Sequence, residues 1–592
     1  MTPHQTLDFD SCYRAVSARD TRFDGRFYTA VTSTGIYCRP ICPARTPARK
    51  NVRFYRHAAA AEAAGFRPCR RCRPELSPGD PGWDVPADLI GRALRLIDDG
   101  VADEYGVAGL AARLHVTERH LLRLFTTQLG AGPLAVARTR RLLLAKQLLT
   151  ETALPITDVA FAAGFGSVRQ FNASMKDAYG FTPGTLRTAS GGTLVAHANR
   201  TRTPGGPGET SGGAGETSGG AGETPGGAGE TPGGPGGNDA GVGSASLTLR
   251  LNYRAPYDAQ TLLGFLAARA VPGVEEANPA RYRRAVPGGV ITLVPADGHV
   301  KLSVTLADTR HLARIVARCR RLLDLDADPQ AIATALEATS LRPLVTSRPG
   351  LRVPGAFDGF ELAVRAVVGQ QVTVAGARTL LGRLAARAGT PSRPRNHLPT
   401  GPDDTGPKDV GPKDVGPEDV GPEDVGPELN GLGGTGPEED IRPDHTRPRG
   451  IAPEQDIGPY LLFPSAEQLA EADLSGLGLT GQRITTLRTL AERVANGEIQ
   501  LDGGADPAET TARLMAVPGI GPWTTGYVVM RALRDPDAWP VGDLGLKRAM
   551  KALDIPEADI ERWRPWRAYA ALYLWSSEAG LPTTDTKAPL DR

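Results

Sequence analysis

Two short cysteine clusters carry the clearest potential for chemistry in this 592-residue chain. Cys38 and Cys42 form a C-x3-C motif, and Cys69 and Cys72 form a C-x2-C motif. Four thiolates with this spacing can complete the tetrahedral shell of one Zn²⁺ ion. Arginines around both motifs should favour the charged thiolates and attract phosphate. They are Arg39, Arg45, Arg67, Arg70, Arg71 and Arg73. The sequence therefore predicts one zinc ion beside a polyanion, although the spacing alone favours a purely structural zinc knuckle.

A second candidate site lies near the C-terminus, in the stretch LMAVPGIGPWTTGYVVMRAL. Its pattern predicts a helix, a tight turn and a second helix, in which Gly519 and Gly521 let backbone amides approach a DNA phosphate. Asp543 follows 22 residues beyond Gly521. Its carboxylate is a candidate catalytic group, and the alternative is an N-cap of the helix LGLKRAM, although both roles can coexist.

Residues 86–187 repeat apolar positions at helical spacing with Gly and Pro at the breaks, which predicts six or seven short helices. Two helix-turn-helix units fit this stretch, with Thr117 and Ser167 as N-caps of the candidate recognition helices. Arginine and amide side chains on such helices suit guanine and adenine edges in the major groove. The exposed candidates are Arg119, His120, Arg123, Ser167, Arg169, Gln170 and Asn172. The alternative is a helical bundle with solvated charges.

The charge of the chain is unevenly distributed. Residues 1–190 hold 26 lysines and arginines against 17 acidic residues, so the net charge of +2 leaves about −7 on the remainder. The basic part is the expected partner of nucleic acid. No apolar stretch reaches the length of a membrane span, and the N-terminus lacks a secretory pattern. We therefore expect a cytoplasmic protein, associated with the nucleoid when it binds DNA, whose clustered thiols hold metal. Cys12 and Cys319, outside the clusters, are interpreted as ordinary small residues.

Two low-complexity tracts lack the apolar side chains that a core requires. Residues 201–244 repeat GGAGET-S/P and are expected to form a flexible tether that divides the protein in two. Residues 390–458 carry Gly-Pro pentads from Gly406 and are expected to be an extended insertion within one domain. A partner-binding repeat is the alternative to a tolerated surface insertion. Between the tracts, SLTLRLNY and VKLSVTLA have strand periodicity, whereas TLLGFLAARAV and HLARIVARCRRLL are helical.

The sequence around the cysteines, RFDGRFYTAVTSTGIYCRPICPAR followed by NVRFY and AAGFRPCRRC, resembles the N-terminal domain of the Ada methylation-response proteins. The resemblance implies that Cys38 is both a zinc ligand and the nucleophile that takes a methyl group from a DNA methylphosphotriester. The other three cysteines, Cys42, Cys69 and Cys72, would hold the metal. Such a thiolate stays nucleophilic at neutral pH, and a phosphate diester is a good leaving group. Methylation of one of four thiolates would change the site's charge from −2 to −1, so the repaired state should bind DNA about tenfold more tightly.

Two further resemblances lie beyond the cysteine domain, and the second covers about residues 246–580 apart from the insertion. The frames GF-x-S-x-x-x-F and YGFTP-x-x-LR resemble the AraC family of double helix-turn-helix regulators. The hairpin, ERWRPWRAYAALYLW and FELAVRAVVGQQVTVAGA resemble AlkA-type helix-hairpin-helix DNA glycosylases. The second resemblance implies that Asp543 is the catalytic carboxylate, which stabilises an oxocarbenium-like transition state or orients the attacking water.

The glycosylase resemblance also implies a base pocket. It places Trp523, Tyr527 and Trp575 around a flipped base, with aromatic core packing as the alternative for each. Trp523 stands where lyase-type relatives carry a lysine, so water is the expected nucleophile. Gln371 stands at the position of the wedge that fills the gap left by the flipped base, which is apolar in the best-known enzyme of this type.

These patterns predict a multidomain, mainly α protein. The expected parts are a small α+β zinc domain (1–80), an all-α double helix-turn-helix domain (86–188), a disordered linker (189–245), an α+β glycosylase subdomain (246–328), and an all-α helix-hairpin-helix core (329–389 and 459–582) interrupted by a disordered insertion (390–458).

The predicted function is a response to DNA alkylation. It combines methylphosphotriester repair, methylation-switched transcriptional regulation, and excision of 3-methyladenine-class purines by a monofunctional glycosylase. The expected partners are alkylated and promoter double-stranded DNA and RNA polymerase. The alternative is a zinc-containing DNA-binding regulator with an inactive glycosylase-like domain, against which Asp543 and the intact hairpin argue. No PCHR motif occurs, so repair of O6-methylguanine is not expected.

Overall fold

The computed structural model of the protein describes residues 7–80, 88–189, 245–392 and 459–577. The first segment contains helices α1 (Phe9–Ala18) and α2 (Ala58–Ala63) and strands β1 (Tyr28–Val31), β2 (Ile36–Cys38), β3 (Val52–Tyr55) and β4 (Arg67–Pro68). The strands form one sheet in the order β3-β1-β2-β4, in which only β4 runs parallel to its neighbour β2. Because β2 ends at Cys38 and β4 stops just before Cys69, this pairing brings the two cysteine clusters side by side.

Residues 88–189 form seven helices, as the apolar spacing predicted. They are α3 (Leu89–Asp98), α4 (Val101–Arg113), α5 (Glu118–Leu129), α6 (Pro133–Glu151), α7 (Ile156–Ala162), α8 (Val168–Tyr179) and α9 (Pro183–Ala189). Thr117 caps α5 by accepting the His120 amide at 3.2 Å, and Ser167 caps α8 by accepting the Gln170 amide at 3.2 Å. The predicted caps are therefore confirmed. The 19-residue helix α6 joins the two helix-turn-helix units.

The next segment is an α+β subdomain. Its strands are β5 (Ala245–Asn252), β6 (Glu275–Asn278), β7 (Arg281–Val286), β8 (Gly289–Ala296) and β9 (His299–Leu306), and its helices are α10 (Ala259–Arg269) and α11 (Leu312–Leu322). The strands form one antiparallel sheet in the order β5-β9-β8-β7-β6. Strand β5 buries its alternate leucines, Leu247, Leu249 and Leu251, which explains its clear period of two. The sequence predicted β5, β9 and both helices, but not β6 to β8.

Helices dominate the remaining described residues. They are α12 (Pro329–Glu337), α13 (Arg342–Ser347), α14 (Gly359–Val368), α15 (Val374–Ala388), α16 (Ala466–Glu471), α17 (Gly481–Ala495), α18 (Pro507–Met515), α19 (Pro522–Arg531), α20 (Leu544–Ala552) and α21 (Arg567–Trp575). The two-residue strands β10 (Thr390–Pro391) and β11 (Leu461–Leu462) pair in antiparallel fashion on the two sides of the Pro-rich tract. This pairing brings the flanks of the tract together, as an insertion into one domain requires.

The two sides of the Gly-rich tract pack against each other. Buried residues of α6 to α9 and of the β5–β9 sheet belong to one hydrophobic cluster. Elsewhere α3 lies against residues 503–506, where Arg92 Nε donates to the Gly504 carbonyl oxygen at 2.8 Å. A Cβ added at Gly504 would lie 2.7 Å from the Leu96 side chain, so this approach is close. The prediction that the tract divides the protein in two is therefore wrong for the packing of the described residues.

A third contact joins the zinc-binding segment to the C-terminal part. Arg254 Nη2 donates to the carbonyl oxygens of Asp24 at 2.7 Å and Gly79 at 2.6 Å, while its Nη1 donates to that of Asp326 at 2.8 Å. Residues 190–244 and 393–458 lie outside the described ranges, so the predicted disorder of both tracts and the domain boundaries remain predictions. None of the described helices is long and apolar enough to cross a bilayer.

Candidate zinc centre, DNA-reading helices and base pocket

The four predicted zinc ligands converge. Their Sγ atoms all lie within 4.8 Å of one another. Sulfurs about 2.3 Å from a central zinc form a tetrahedron with edges of about 3.8 Å, so the set fits one Zn²⁺ ion. Cys69 and Cys72 are buried, whereas Cys38 and Cys42 are partly exposed. The site therefore presents one of its two motifs to solvent.

Hydrogen bonds distinguish the sulfur atoms. The Arg39 amide donates to Cys72 Sγ at 3.3 Å. Among the described residues, no backbone hydrogen bond ends on Cys38 Sγ. A thiolate loses reactivity when donors stabilise its charge, so this difference favours Cys38 over Cys72 as the candidate nucleophile.

Arg39 has a different environment from the one predicted. The residue is 7% exposed, its Nε donates to Asp24 Oδ1 at 2.8 Å, and its Nη1 donates to the Cys72 carbonyl oxygen at 3.2 Å. The guanidinium is buried and neutralised by Asp24. This environment suits a side chain that holds the cysteine loop in place, rather than the predicted contact with a DNA phosphate. Of the other arginines predicted to attract phosphate near the zinc site, Arg45, Arg67, Arg70 and Arg71 are exposed. Arg73 is partly buried and forms ion pairs with Glu75 and Glu151.

The candidate recognition helices present the expected residues. Helix α5 exposes Arg119 and Arg123, with His120 half-buried beside Arg123 at a distance of 3.4 Å between Nδ1 and Nη2. Helix α8 exposes Arg169, Gln170 and Asn172. The opposite face of each helix is buried, through Leu121, Phe125 and Leu129 in α5 and Phe171, Met175 and Tyr179 in α8. Each helix is therefore amphipathic, with its polar face free for a partner.

The predicted hairpin joins α18 to α19. Gly519 has a φ of +88°, and a Cβ there would lie 2.3 Å from Thr486 Oγ1, so only glycine fits without rearrangement. Gly521 has an ordinary φ of −104°, and an added Cβ would meet no atom within 4 Å. The two glycines therefore differ, since Gly519 is required by the fold and Gly521 leaves an open surface at the start of α19.

Asp543 lies between two tryptophans. Trp523 Nε1 donates to its Oδ2 at 2.7 Å, and Trp575 Nε1 donates to its Oδ1 at 3.0 Å. Oδ1 also accepts the Leu546 amide at 2.8 Å, which caps α20. The carboxylate therefore caps the helix as the alternative interpretation proposed, and it also faces the predicted pocket.

The three predicted pocket aromatics contact one another. The rings of Trp523 and Tyr527 stack with centroids 5.5 Å apart, and the ring of Trp575 meets that of Tyr527 edge-on at 6.4 Å. All three are only partly buried, so aromatic surface remains for a ligand. Burial would raise the pKa of Tyr527, but the charges of Arg531 and Arg269 outweigh it and hold this pKa below its usual value.

The wedge candidate follows α14. Gln371 is exposed and has a φ of +57°, a left-handed conformation that turns the chain sharply. Its neighbour Gln370 donates from Nε2 to the Gly519 carbonyl oxygen at 3.0 Å and to Thr524 Oγ1 at 2.9 Å. Gln370 thus fixes the loop that carries Gln371 to the hairpin.

Sequence reasoning missed several residues around these sites. Asp24 and Gln370 lie far along the chain from the groups they hold, and no spacing marks them. Arg531 follows Tyr527 by one helical turn, so a candidate tyrosine on a helix could have drawn attention to it. Cys12 and Cys319 are buried, which raises the pKa of the first thiol to about 11 and of the second to about 12. Their interpretation as unreactive residues agrees with that environment.

A thiolate zinc centre, two helix-turn-helix units and a helix-hairpin-helix pocket together define a DNA-binding protein with regulatory and repair parts. The family model for the metal-binding domain of Ada matches residues 11–75, a helix-turn-helix domain model matches residues 110–189, and the model for the AlkA N-terminal domain matches residues 248–358.

Similar proteins cover the same parts. The chain is 39% identical over 581 residues to the probable bifunctional transcriptional activator/DNA repair enzyme AlkA of Mycobacterium tuberculosis. The alignment covers 96% of each chain. DNA-3-methyladenine glycosylase 2 of Escherichia coli is 30% identical over 56% of this chain and 98% of its own. The bifunctional transcriptional activator/DNA repair enzyme Ada of Escherichia coli is 33% identical over 32% of this chain and 52% of its own. The chain belongs to the family of bifunctional transcriptional activator/DNA repair enzymes that join an Ada-like part to an AlkA-like part.

Proposed function

We propose that Cys38 accepts a methyl group from a methylphosphotriester in DNA. In this reaction the thiolate sulfur attacks the methyl carbon, the bond from that carbon to the phosphate oxygen breaks, and a phosphodiester anion leaves. A zinc ion held by the four cysteines would keep the Cys38 sulfur deprotonated at neutral pH. The partial exposure of Cys38 and the absence of a backbone donor to its sulfur among the described residues support this choice. Cys42, Cys69 and Cys72 are proposed to remain metal ligands.

Methyl transfer would then switch DNA affinity. The product thioether is neutral, so the zinc site loses one negative charge near the exposed Arg45, Arg67 and Arg71. One charge at such a surface is worth about 1.4 kcal/mol, which corresponds to about tenfold in DNA affinity. Sequence-specific binding is assigned to the exposed residues of α5 and α8, and RNA polymerase is the proposed partner at promoters.

We further propose that the C-terminal part excises alkylated purines of the 3-methyladenine class by hydrolysis. The observation that carries this proposal is the group formed by Asp543 and three aromatic rings at the end of the hairpin. The rings can stack on a cationic base, while the carboxylate stabilises positive charge on the sugar or orients water. Trp523 occupies the position of a Schiff-base lysine, so no covalent lyase step is expected.

The direct test measures both reactions on the full-length protein. DNA treated with a methylating agent is incubated with the wild type, and free 3-methyladenine and protein-bound methyl groups are quantified separately. We expect both products, with Cys38→Ala abolishing protein methylation alone. Cys12→Ala is the matched control, because Cys12 is a buried thiol outside the zinc site. Retained methyl transfer in Cys38→Ala would exclude Cys38 as the acceptor.

The competing function is a DNA-binding regulator with an inactive glycosylase-like domain. It predicts DNA binding by the wild type with neither protein methylation nor release of 3-methyladenine. The same experiment therefore separates the two functions.

A further inference from the structure

Two arginines lie behind the proposed base pocket. Arg531 is 6% exposed and donates from Nε to the Pro354 carbonyl oxygen at 2.7 Å and from Nη2 to that of Gly355 at 3.0 Å. Its remaining nitrogen, Nη1, donates to the Tyr527 hydroxyl oxygen at 2.5 Å. Three neutral oxygens thus satisfy this buried guanidinium, and its charge is not cancelled by them.

Arg269 adds a second positive charge. Its guanidinium carbon lies 3.8 Å from the centroid of the Phe265 ring, and that of Arg531 lies 4.9 Å from the same centroid. No carboxylate of the described residues forms an ion pair with either arginine. Burial lowers the pKa of Arg269, as expected for a cation without such a partner.

Tyr527 connects these charges to the pocket. Because its oxygen accepts the bond from Arg531, its own O–H proton is free to donate to another group. Its ring stacks on Trp523, whose indole nitrogen holds Asp543. A base stacked on these aromatics would lie near both the Asp543 carboxylate and the polarised hydroxyl of Tyr527.

We propose that Arg531, acting through Tyr527, stabilises the negative charge that an uncharged damaged base acquires as it leaves the sugar. This role rests on the proposed base excision and concerns how the pocket selects between cationic methylated purines and neutral bases. Arg531 is then a positioning residue that sets selectivity, since it polarises Tyr527 without touching the base.

The charge that the base carries before and after bond cleavage explains why the preference between the two kinds of base should depend on Arg531. When the bond between the base nitrogen and C1′ breaks, its electron pair stays on the base, and water adds to C1′ with loss of a proton. A methylated purine enters as a cation and leaves nearly neutral. A remote positive charge therefore hardly changes the free energy of its transition state, measured relative to free enzyme and free DNA. A neutral base leaves nearly anionic, so the same charge stabilises its transition state. A full charge about 10 Å away at an effective dielectric of about 20 changes the rate roughly tenfold.

The test compares two duplex oligonucleotides, one with a single 7-methylguanine as the cationic base and one with a single hypoxanthine as the neutral base. Single-turnover rates are measured over a range of full-length enzyme concentrations, which gives a maximal rate and a half-saturating concentration for each. The catalytic efficiency is the maximal rate divided by the half-saturating enzyme concentration. For Arg531→Met we expect this efficiency to fall about tenfold on hypoxanthine and to change less than about threefold on 7-methylguanine. Arg531→Lys keeps the charge and should restore the selectivity.

Two further variants keep the test decisive if Arg531→Met folds poorly. Tyr527→Phe retains the stacked ring and should also lose efficiency selectively on hypoxanthine. Arg352→Met is the matched control, because Arg352 is a buried arginine that donates to the carbonyl oxygens of Arg254 and Pro256. Its selectivity should equal that of the wild type.

Equal losses on both lesions in Arg531→Met and Tyr527→Phe would overturn the inference. It would also fail if the wild type releases 7-methylguanine but no hypoxanthine, in which case the proposed excision of methylated purines stands alone. Release of neither base by the wild type would instead refute the proposed excision itself, and the inference with it.

Discussion

Replacing Asp543 with asparagine separates the two roles of this carboxylate. Asparagine caps helices about as well as aspartate, so the cap on α20 should lose only a few tenths of a kcal/mol. The amide oxygen can keep the bonds from Leu546 and Trp575 to Oδ1, but the amide nitrogen then faces Trp523 Nε1, which is also a donor. One partly buried unpaired donor costs about 1–2 kcal/mol. The variant should therefore fold with slightly reduced stability.

The catalytic loss should be larger than the structural one. A carboxylate about 4 Å from a developing oxocarbenium charge, at an effective dielectric of about 20, contributes about 4 kcal/mol. Part of this is replaced by the amide dipole, so we expect Asp543→Asn to slow base release by about 10²- to 10³-fold. Single-turnover release of 3-methyladenine, thermal unfolding and DNA affinity are measured on the same preparation.

The matched control is Asp258→Asn, because Asp258 also caps a helix, accepting the Thr261 amide at 3.0 Å. It should leave base release unchanged. Release by Asp543→Asn within tenfold of the wild type would refute the catalytic role, and a loss accompanied by an equal loss of folded protein would assign Asp543 to the fold alone.

Three further predictions concern the architecture. A protease site placed within residues 201–244 and then cleaved should leave the two fragments co-eluting in size-exclusion chromatography, because they share a core. Gly519→Ala should destabilise the protein by about 1–3 kcal/mol, since its φ is +88° and the added Cβ meets Thr486, whereas Gly521→Ala should keep stability but weaken DNA binding. Burial lowers the pKa of His57 to about 4, so below pH 6.5 protons bind mainly the unfolded chain. The free energy of unfolding should thus fall by about 1–3 kcal/mol between pH 6.5 and 4. It should fall less in His57→Asn, because asparagine can keep the helix cap but does not titrate in this range.

Each of these has a contrary outcome. Separation of the cleaved fragments would show that the tract is a tether between independent bodies. Equal unfolding temperatures for Gly519→Ala and the wild type would contradict the conformational requirement at the hairpin. A pH dependence in denaturant unfolding that is identical in His57→Asn and the wild type would remove His57 as its source.

Local patterns predicted the elements that depend on local physics. The caps Thr117 and Ser167, the alternation in β5 and the hairpin at Gly519 are each marked by residue types within a few positions of one another. Strand β7 shows the limit, because RYRRAV looks polar although Arg284 is buried. It is buried because Glu275 and Glu361 pair with it across the subdomain, and neither partner is marked by spacing.

The residues of the candidate sites also differ in whether a local pattern marks them. The cysteine ligands and the group around Asp543 were found because each motif carries its own spacing or resemblance. Arg39 was placed among the DNA contacts because arginine beside a thiolate suggests phosphate, whereas the fold supplies Asp24 as a buried partner. The packing across residues 190–244 could not be predicted, since the surfaces that meet, α3 and residues 503–506, are far apart in sequence.

Cys38 is proposed to be consumed in repair while its three partners retain the metal. Peptide mass spectrometry of the full-length protein, after incubation with DNA that carries methylphosphotriesters, shows which cysteine accepts the methyl group. We predict one added methyl group on Cys38, none on Cys42, Cys69 or Cys72, and retention of one zinc ion per chain. An unmodified Cys38, or a methyl group on another of the four cysteines, would contradict it.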